Sequence, residues 1–334
     1  MKRKAKIYAL SVLLCITLSL TFVTLSGALE IESISLTEDS VQPQQNYAPI
    51  AENLSFTTYK GVSINGNFQA VDPEGDLLSY RLVSSPKKGT VQVSEGAFVY
   101  TPKDGKKGKD VFTYVAVDTS GNVSGEAMVS ILIEKQSTKI SYSDMQGNGS
   151  NYAALRLAEE GIFIGEKIGK AHYFHPDLIL TRGEFLSMCM TMADIKLLED
   201  ITKTGFADDA SMPLWVKPYV STALMSGIIR GYTTQTGSIV FDATAPITKA
   251  EAGVLLDSIL GISDVENTGL TDSDAVPIWA SQAASNLYAC DILPNPEMMS
   301  TQNLNRAEAA ELLLETINLI ATRDSSDSLL SWAW

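Results

Sequence analysis

Three four-residue motifs of one type recur in the second half of the chain: residues 181–184 (TRGE), 248–251 (TKAE) and 305–308 (NRAE). Each places a side-chain oxygen three residues before a glutamate and is followed by an apolar run. This spacing is that of a capping box, in which the two side chains each accept a hydrogen bond from the other's backbone N–H. The motifs therefore predict three buried helices, whose caps are Thr181, Glu184, Thr248, Glu251, Asn305 and Glu308.

The second residue of each motif is basic: Arg182, Lys249 and Arg306. It falls in the first helical turn, where the helix dipole favours an anion over a cation. A cation beside free backbone N–H groups suits a carboxylate or phosphate ligand. The alternative is that three long side chains lie along the surface without a ligand. The threefold recurrence favours an anion site.

No catalytic set accompanies these motifs. The two histidines, His172 and His175, flank Phe174 with no metal-spaced partner, and neither a phosphate loop nor a nucleophile elbow is present. Cys189 falls at a core position of its helix, and nothing in its spacing from Cys290 indicates a disulfide framework. We predict a non-enzymatic protein. An enzyme would need a cleft with perturbed acids in the β-rich region.

The N-terminus has the pattern of an export signal, with four basic residues, an apolar run and small residues before position 28. A retained membrane anchor is the alternative interpretation. Removing residues 1–28 takes away four basic residues and no acid, so the formal net charge changes from −14 to −18. Such a charge argues against binding to nucleic acid or anionic lipid by bulk attraction.

The remaining 306 residues divide into regions that differ in composition and in hydrophobic periodicity. Residues 29–47 lack periodicity and are predicted to be a spacer. Residues 48–135 contain short β-branched and aromatic runs between turn residues, which predicts a β-sandwich.

Three helix, loop and helix units follow, at 140–200, 204–262 and 268–321, with a tail at 322–334 that is apolar at its end. Asp144, Asp208 and Asp272 open the units at a spacing of 64 residues. Neither helix of such a unit buries its apolar face alone, so the units must pack together.

Part of the sandwich region resembles the bacterial cadherin-like or Ig-like domains of surface proteins, through residues 72–76 (DPEGD), 98–102 (FVYTP) and 110–114 (DVFTY). The resemblance implies a spacer or adhesion domain, in some cases dependent on calcium. Independently, four acids provide the hard oxygen ligands that calcium takes: Asp72, Glu74, Asp76 and Asp118. The alternative is a solvated turn, which Asp, Pro and Gly favour without a metal.

The order of Phe-x-Asp, Trp, Gly-Ile and Thr-Arg-x-Glu in the units is similar to the S-layer homology family. That resemblance implies a mostly helical, pseudo-threefold module that binds a pyruvylated secondary wall polymer in grooves between repeats. The implied groove residues are Asp144, Arg182, Asp208, Trp215, Lys249, Asp272, Trp279 and Arg306.

The units depart from this pattern in several places. The first has no Trp unless Tyr152 replaces it, and the second has Lys249, a point charge instead of a guanidinium fork. The third has Asp291 in a Gly position, Asn305 for Thr and a Pro-rich loop, so we expect it to be the weakest glycan site. The tryptophans are open to a core interpretation, and the opening aspartates to one as helix caps.

The sequence as a whole predicts an exported surface protein, associated with the cell wall or an S-layer. A β-sandwich would be displayed from three wall-binding repeats. The expected partner is the secondary wall polymer, with no cofactor other than calcium. The alternative is a structural or adhesive protein whose repeats bind other proteins.

Overall fold

The computed structural model describes residues 46–266 and 276–330, with side chains as far as Arg323. The predicted signal segment, nearly all of the spacer, Asp272 and the last four residues lie outside this range. Among the described helices, none combines the length and the apolar character that crossing a bilayer requires.

The N-terminal part is strand-rich, consistent with an Ig-like sandwich. Its strands are β1 (Ile50–Ala51), β2 (Leu54–Tyr59), β3 (Ile64–Asn67), β4 (Ala70–Val71), β5 (Ser79–Ser84), β6 (Gly89–Ser94), β7 (Ala97–Pro102), β8 (Gly108–Val117) and β9 (Ala127–Glu134). A four-stranded sheet has the order β2-β9-β8-β5, and a three-stranded sheet has the order β3-β7-β6. β2 pairs with β9 in parallel, and the other pairs are antiparallel.

Aromatic side chains fill the space between the two sheets. Phe98, Tyr100, Phe112 and Tyr114 are each at most 1 % exposed, because they occupy alternate positions on β7 and β8. Alternation of this kind places every second side chain on one face of a strand. The sandwich therefore has its own aromatic core.

The C-terminal part consists of helices and short hairpins. The helices are α1 (Asn151–Glu159), α2 (Arg182–Met192), α3 (Lys217–Met225), α4 (Lys249–Leu260), α5 (Ser281–Ala289) and α6 (Arg306–Leu330), and the strands are β10 (Glu166–Ile168), β11 (Ala171–Tyr173), β12 (Tyr232–Thr233) and β13 (Ile239–Val240). β10 pairs with β11, and β12 with β13. In the corresponding place before α6, the chain forms a single 3₁₀ turn at Pro296–Met298.

The segments that precede α2, α4 and α6 meet in a cycle of backbone hydrogen bonds. Leu180 N donates to Leu304 O (3.0 Å), Leu304 N to Ile247 O (2.9 Å), and Ile247 N back to Leu180 O (3.0 Å). Each segment thus pairs with both others, although long stretches of chain separate them. The cycle brings three helix N-termini, with their basic residues, around one centre.

The sandwich contacts the helical part through α1. Glu159 accepts hydrogen bonds from the Tyr59 hydroxyl and from the backbone N–H and hydroxyl of Ser137. The ring of Tyr152 lies 4.9 Å from that of Tyr59, centroid to centroid. A side chain on Gly149 would collide with Asn65. Tyr152 therefore serves this junction and does not replace the missing tryptophan in a groove.

Candidate functional site

Reciprocal hydrogen bonds fix the start of each of the three helices. Thr181 Oγ1 accepts from Glu184 N (3.2 Å), and Thr181 N donates to Glu184 Oε2 (2.9 Å). The same exchange joins Thr248 with Glu251, and Asn305 with Glu308. Each glutamate accepts its bond through one carboxylate oxygen, which leaves the other free to face a neighbouring helix.

That second oxygen binds the basic residue of the preceding motif in two of the three places. Arg182 Nη1 lies 2.6 Å from Glu251 Oε1, and Lys249 Nζ lies 2.7 Å from Glu308 Oε1. Arg182 also donates from Nε to Phe241 O (2.9 Å). The anion that the sequence favours beside these two cations is thus supplied by a carboxylate of the chain itself. Charge-assisted bonds of this kind are stronger than neutral ones.

Arg306 is placed differently. Its Nη1 donates to Phe174 O (3.1 Å), and its guanidinium lies 4.9 Å from the centre of the Phe163 ring. It is 9 % exposed, and Nε is buried with no hydrogen-bond partner. In the described part of the chain, no carboxylate lies within ion-pair distance of it. A buried cationic donor without a partner is costly, so Arg306 is suited to an added anion.

An open groove of about 670 Å³ lies beside Arg306. It is formed by the loop after β11 and the start of α6, and its lining is Asp144, Glu166, His175, Pro176, Asp177, Leu178 and Arg306. His175 Nε2 lies 3.1 Å from Glu166 Oε2. The groove thus combines one cation with several oxygen acceptors, a set that binds an acidic group attached to hydroxyl donors.

Two of the opening aspartates, Asp144 and Asp208, each hold a loop of their own unit. Asp144 accepts from the backbone N–H of Phe174 (2.9 Å) and His175 (2.7 Å). Asp208 accepts in the same way from Phe241 N and Asp242 N. Asp208 precedes a 3₁₀ turn but makes no side-chain cap there. The cap interpretation of Asp208 is therefore wrong, because its carboxylate is used across the unit.

The two candidate tryptophans are at the surface. Trp215 is 51 % exposed and Trp279 is 60 % exposed, each in a 3₁₀ turn before α3 or α5. The core interpretation is excluded for both. The turn that carries Trp215 also packs on the start of α2, since a Cβ on Gly183 would lie 2.8 Å from Val216 Cγ2. Trp215 is thereby held close to the Arg182 motif.

The space beside Lys249 is small and apolar. It measures about 50 Å³ and is lined by Met298, Met299 and Leu293 together with the Lys249 and Glu308 side chains. Met299 fills the gap that Gly253 leaves on α4. The Pro-rich segment before α6 thus stands where the other units have a hairpin, and its side chains fill the space beside Lys249.

The four candidate calcium ligands are engaged separately. Asp72 Oδ1 accepts from Glu74 N and Asp76 N (3.0 Å each), Glu74 from Tyr47 N, Asp76 Oδ2 from the Thr119 hydroxyl (3.2 Å) and Asp118 from Asn122 N. Within residues 46–266 and 276–323, no three His, Cys, Asp or Glu side chains converge as a metal-binding group.

One feature of this turn still favours a cation. Asp72 Oδ2 and Asn46 Oδ1 are buried with no hydrogen-bond partner. Unpaired oxygens of this kind are ligands of the type calcium takes, although two of them fall short of a full coordination shell.

Sequence reasoning missed Glu166 and His175 as groove residues. His175 follows Phe174 as Asp242 follows Phe241, and both adopt a left-handed backbone (φ 56° and 54°). That correspondence was a usable signal for His175. Nothing in the sequence places Glu166 opposite it, because the contact depends on the β10–β11 register.

Two protein families match parts of this chain. Residues 46–135 match the bacterial cadherin-like domain, and residues 205–252 match the S-layer homology domain. The second match spans the predicted second unit from the Asp208 loop to the Lys249 motif. Both domain types are typical of non-enzymatic surface proteins.

A curated relative is the surface-layer 125 kDa protein of Lysinibacillus sphaericus, 23 % identical over 176 residues. The match covers 51 % of this chain and 14 % of that protein. With the S-layer homology match, it indicates a surface protein associated with the cell wall or the S-layer, as the sequence predicts.

Solved structures with some likeness include the SrpA adhesin of Streptococcus sanguinis, at 17 % identity and a TM-score of 0.24 over 38 % of this chain and 83 % of that one. An endo-fucoidan hydrolase of glycoside hydrolase family 107 matches at 21 % identity and a TM-score of 0.22, over 28 % of this chain and 14 % of that one. Both TM-scores are too low to support an argument about fold or function.

Proposed function

We propose that the chain is an exported protein held non-covalently at the cell wall. Three S-layer homology repeats, at 140–200, 204–262 and 268–321, would bind an anionic secondary wall polymer and display the sandwich as a spacer or adhesion domain. The observation that carries this proposal is Arg306, a buried guanidinium with an unpaired Nε beside a groove of about 670 Å³.

The arrangement of three repeats is supported by the backbone cycle among residues 180, 247 and 304. Each motif also donates two further backbone hydrogen bonds to the loop of the next repeat. The first bond of each pair comes from the basic residue: Arg182 N to Ala245 O, Lys249 N to Gln302 O and Arg306 N to Leu178 O. These bonds follow one direction around the centre, from first to second, second to third and third to first. A pseudo-threefold module has this property.

The groove chemistry fits an acidic sugar. The guanidinium of Arg306 would pair with a carboxylate such as that of a pyruvyl group. The carboxylates of Asp177 and Glu166 would accept hydrogen bonds from sugar hydroxyls, so that the ligand supplies both an anion and donors. A free small anion would gain less, because the surrounding acids repel it.

The three grooves are not equivalent in this proposal. An anion that approaches Arg182 or Lys249 must displace Glu251 or Glu308 from an existing ion pair. Only Arg306, among the three motif cations, is without such a carboxylate in the described residues. The groove between the third and first repeats would therefore bind most tightly, which reverses the ranking expected from the sequence.

A sedimentation assay with purified cell walls tests this function. We expect the mature protein to bind walls and to lose binding after chemical removal of the polymer. Arg306→Ala should weaken binding by about 10- to 100-fold, and Arg306→Lys should restore part of it. Arg230→Ala, at an exposed arginine outside the grooves, is the matched control.

Thermal melts of the same variants separate binding from folding. Binding that survives removal of the polymer would favour the alternative function, in which the repeats bind other proteins. One observation favours that alternative: Leu214 and Ile278, next to the tryptophans, are 65 % and 83 % exposed. Each of the two turns thus exposes an aliphatic side chain next to a tryptophan, and contiguous apolar patches mark protein interaction sites.

A further inference from the structure

Two loops at one end of the sandwich carry a concentration of lysines. The β5–β6 loop (85–88) and the segment from the end of β7 into β8 (103–109) together contain six lysines and one aspartate, a local charge of +5 on a chain of net charge −14. We call Lys87, Lys88, Lys103, Lys106, Lys107 and Lys109 the lysine surface. All are exposed except Lys88, which is half-buried.

A buried carboxylate holds the two loops together. Asp110 accepts from the backbone N–H of Lys87 (2.9 Å) and Lys88 (2.7 Å) and from the Tyr100 hydroxyl (2.9 Å). Burial alone would raise the pKa of Asp110, but these hydrogen bonds outweigh it and lower the pKa below its ordinary value. Lys103 N also donates to Lys88 O (2.8 Å). The lysine surface is therefore built on a fixed backbone.

The ammonium groups are left without acidic partners. In the described part of the chain, none of the six is within ion-pair distance of a carboxylate. Lys88 Nζ and Lys103 Nζ donate instead to the backbone oxygens of Lys107 and Lys87. Asp110 is buried and used by backbone and tyrosine donors, and the exposed Asp104 forms no ion pair with these lysines in the described residues. Six adjacent like charges repel one another and favour an anionic partner.

We propose that the lysine surface binds a polyanion, a polymer whose repeating units carry phosphate or carboxylate groups. Lysine presents a point charge on a flexible stem, which suits a chain of anions without demanding the fixed geometry of a bidentate pair. A row of several cations gains most from a polymer, because binding releases counterions along the whole contact.

The position of the lysine surface agrees with this partner. β8 begins at Gly108, which pairs with Ile133 near the end of β9, and β9 leads into the helical part. The lysine surface thus lies at the end of the sandwich closest to that junction. Binding of a polyanion to the lysine surface does not depend on the Arg306 groove.

The proposal is tested by titrating the full-length mature chain with inorganic polyphosphate at several salt concentrations. The variant Lys106→Glu with Lys107→Glu should weaken binding by at least about tenfold and flatten its salt dependence. The matched control is Lys196→Glu with Lys203→Glu, which changes the net charge equally at exposed lysines of the helical part. We expect the control to change affinity less than about twofold.

A parallel titration with poly-glutamate distinguishes carboxylate from phosphate as the preferred group. The proposal is overturned if the wild-type chain binds neither polymer, or if the control variant loses as much affinity as the lysine-surface variant. Lysine-dependent self-association of the chain at low salt would overturn it too, since the occupant would then be the acidic surface of a second copy. Wall binding that fails for Arg306→Ala while polyphosphate binding persists separates this site from the proposed wall site.

Discussion

Arg182 and Glu251, 69 residues apart in the chain, form a 2.6 Å ion pair between the first turns of two different helices. The arginine side chain is 16 % exposed and the glutamate 33 %. Glu251 at the same time caps its own helix through Thr248. One carboxylate therefore links a helix start to its neighbour, and the structural role of Arg182 is at least as clear as any binding role.

The first prediction concerns this pair. Arg182→Ala should lower the free energy of unfolding by about 1–2 kcal/mol, since a partly exposed pair gains less than a buried one. Glu251→Gln should cost a similar amount, because the amide oxygen preserves the cap but not the charge. The double variant should cost less than the sum of the two. Strict additivity in urea denaturation would contradict the pairing.

If Arg182→Ala left the free energy of unfolding unchanged, the result would support the interpretation drawn from the sequence alone. That interpretation gives the cation an added anion as its ligand and no partner within the chain, so its removal would leave stability unchanged. Arg230→Ala serves as the control, because Arg230 is exposed and in none of the ion pairs of the described residues.

The second prediction isolates the cap from the cation. Thr181→Ala removes the hydroxyl that accepts from Glu184 N and should destabilise the fold by about 1 kcal/mol. Thr181→Ser keeps the acceptor and should cost only a few tenths of that. The measurement is urea denaturation beside wall sedimentation. Wall affinity that falls by more than the loss of folded protein explains would indicate that Thr181 contacts the ligand.

Local patterns predicted the helix starts at 181, 248 and 305, because a capping box is specified by residues three apart. The partners of Arg182 and Lys249 were beyond such reasoning, since they depend on which segment lies next to which in three dimensions. The position of Tyr152 against Tyr59 is of the same kind. The sequence shows Tyr152 near the position where the first unit lacks a tryptophan, but it does not show that the sandwich packs against this side chain.

The proposed ranking of the grooves differs from the one expected from the sequence for a related reason. From the sequence, Asp291 and the Pro-rich loop of the third unit were expected to weaken glycan binding in the groove of that unit. Asp291 adopts the left-handed backbone of the glycine it replaces (φ 58°), and the Pro-rich loop lies beside Lys249 instead. In the proposed arrangement of three repeats, each groove is built from two units, so the Arg306 groove takes its loop from the first.

The third prediction concerns the turn at residues 72–76. If a cation completes the unpaired oxygens of Asp72 and Asn46, calcium should raise the melting temperature of the sandwich and chelator should lower it. Asn46→Ala should reduce the calcium effect. A melt that is unchanged by millimolar calcium and by excess chelator would leave this segment as a turn held by the Asp72 hydrogen bonds alone.

The last prediction follows from a carboxyl group on α6. Burial raises the pKa of Glu311 from 4.5 to about 7, with a hydrogen bond from Ser150 opposing the shift and the nearby Glu315 adding to it. The folded state thus binds the proton more tightly than the unfolded state. The resulting stabilisation is full below about pH 4.5 and is lost as the pH rises through about 7.

Glu311→Gln removes this dependence and should raise stability at about pH 8, while near pH 4.5 it should change stability little. Urea denaturation of both proteins across that range gives the comparison, with Glu297→Gln as a control at an exposed glutamate. Wild-type and Glu311→Gln curves that run parallel with pH would show that Glu311 titrates alike in the folded and unfolded chains. Loss of the wild-type slope only in Glu311→Gln would assign the titration to this carboxyl group, at the contact between α6 and the start of α1.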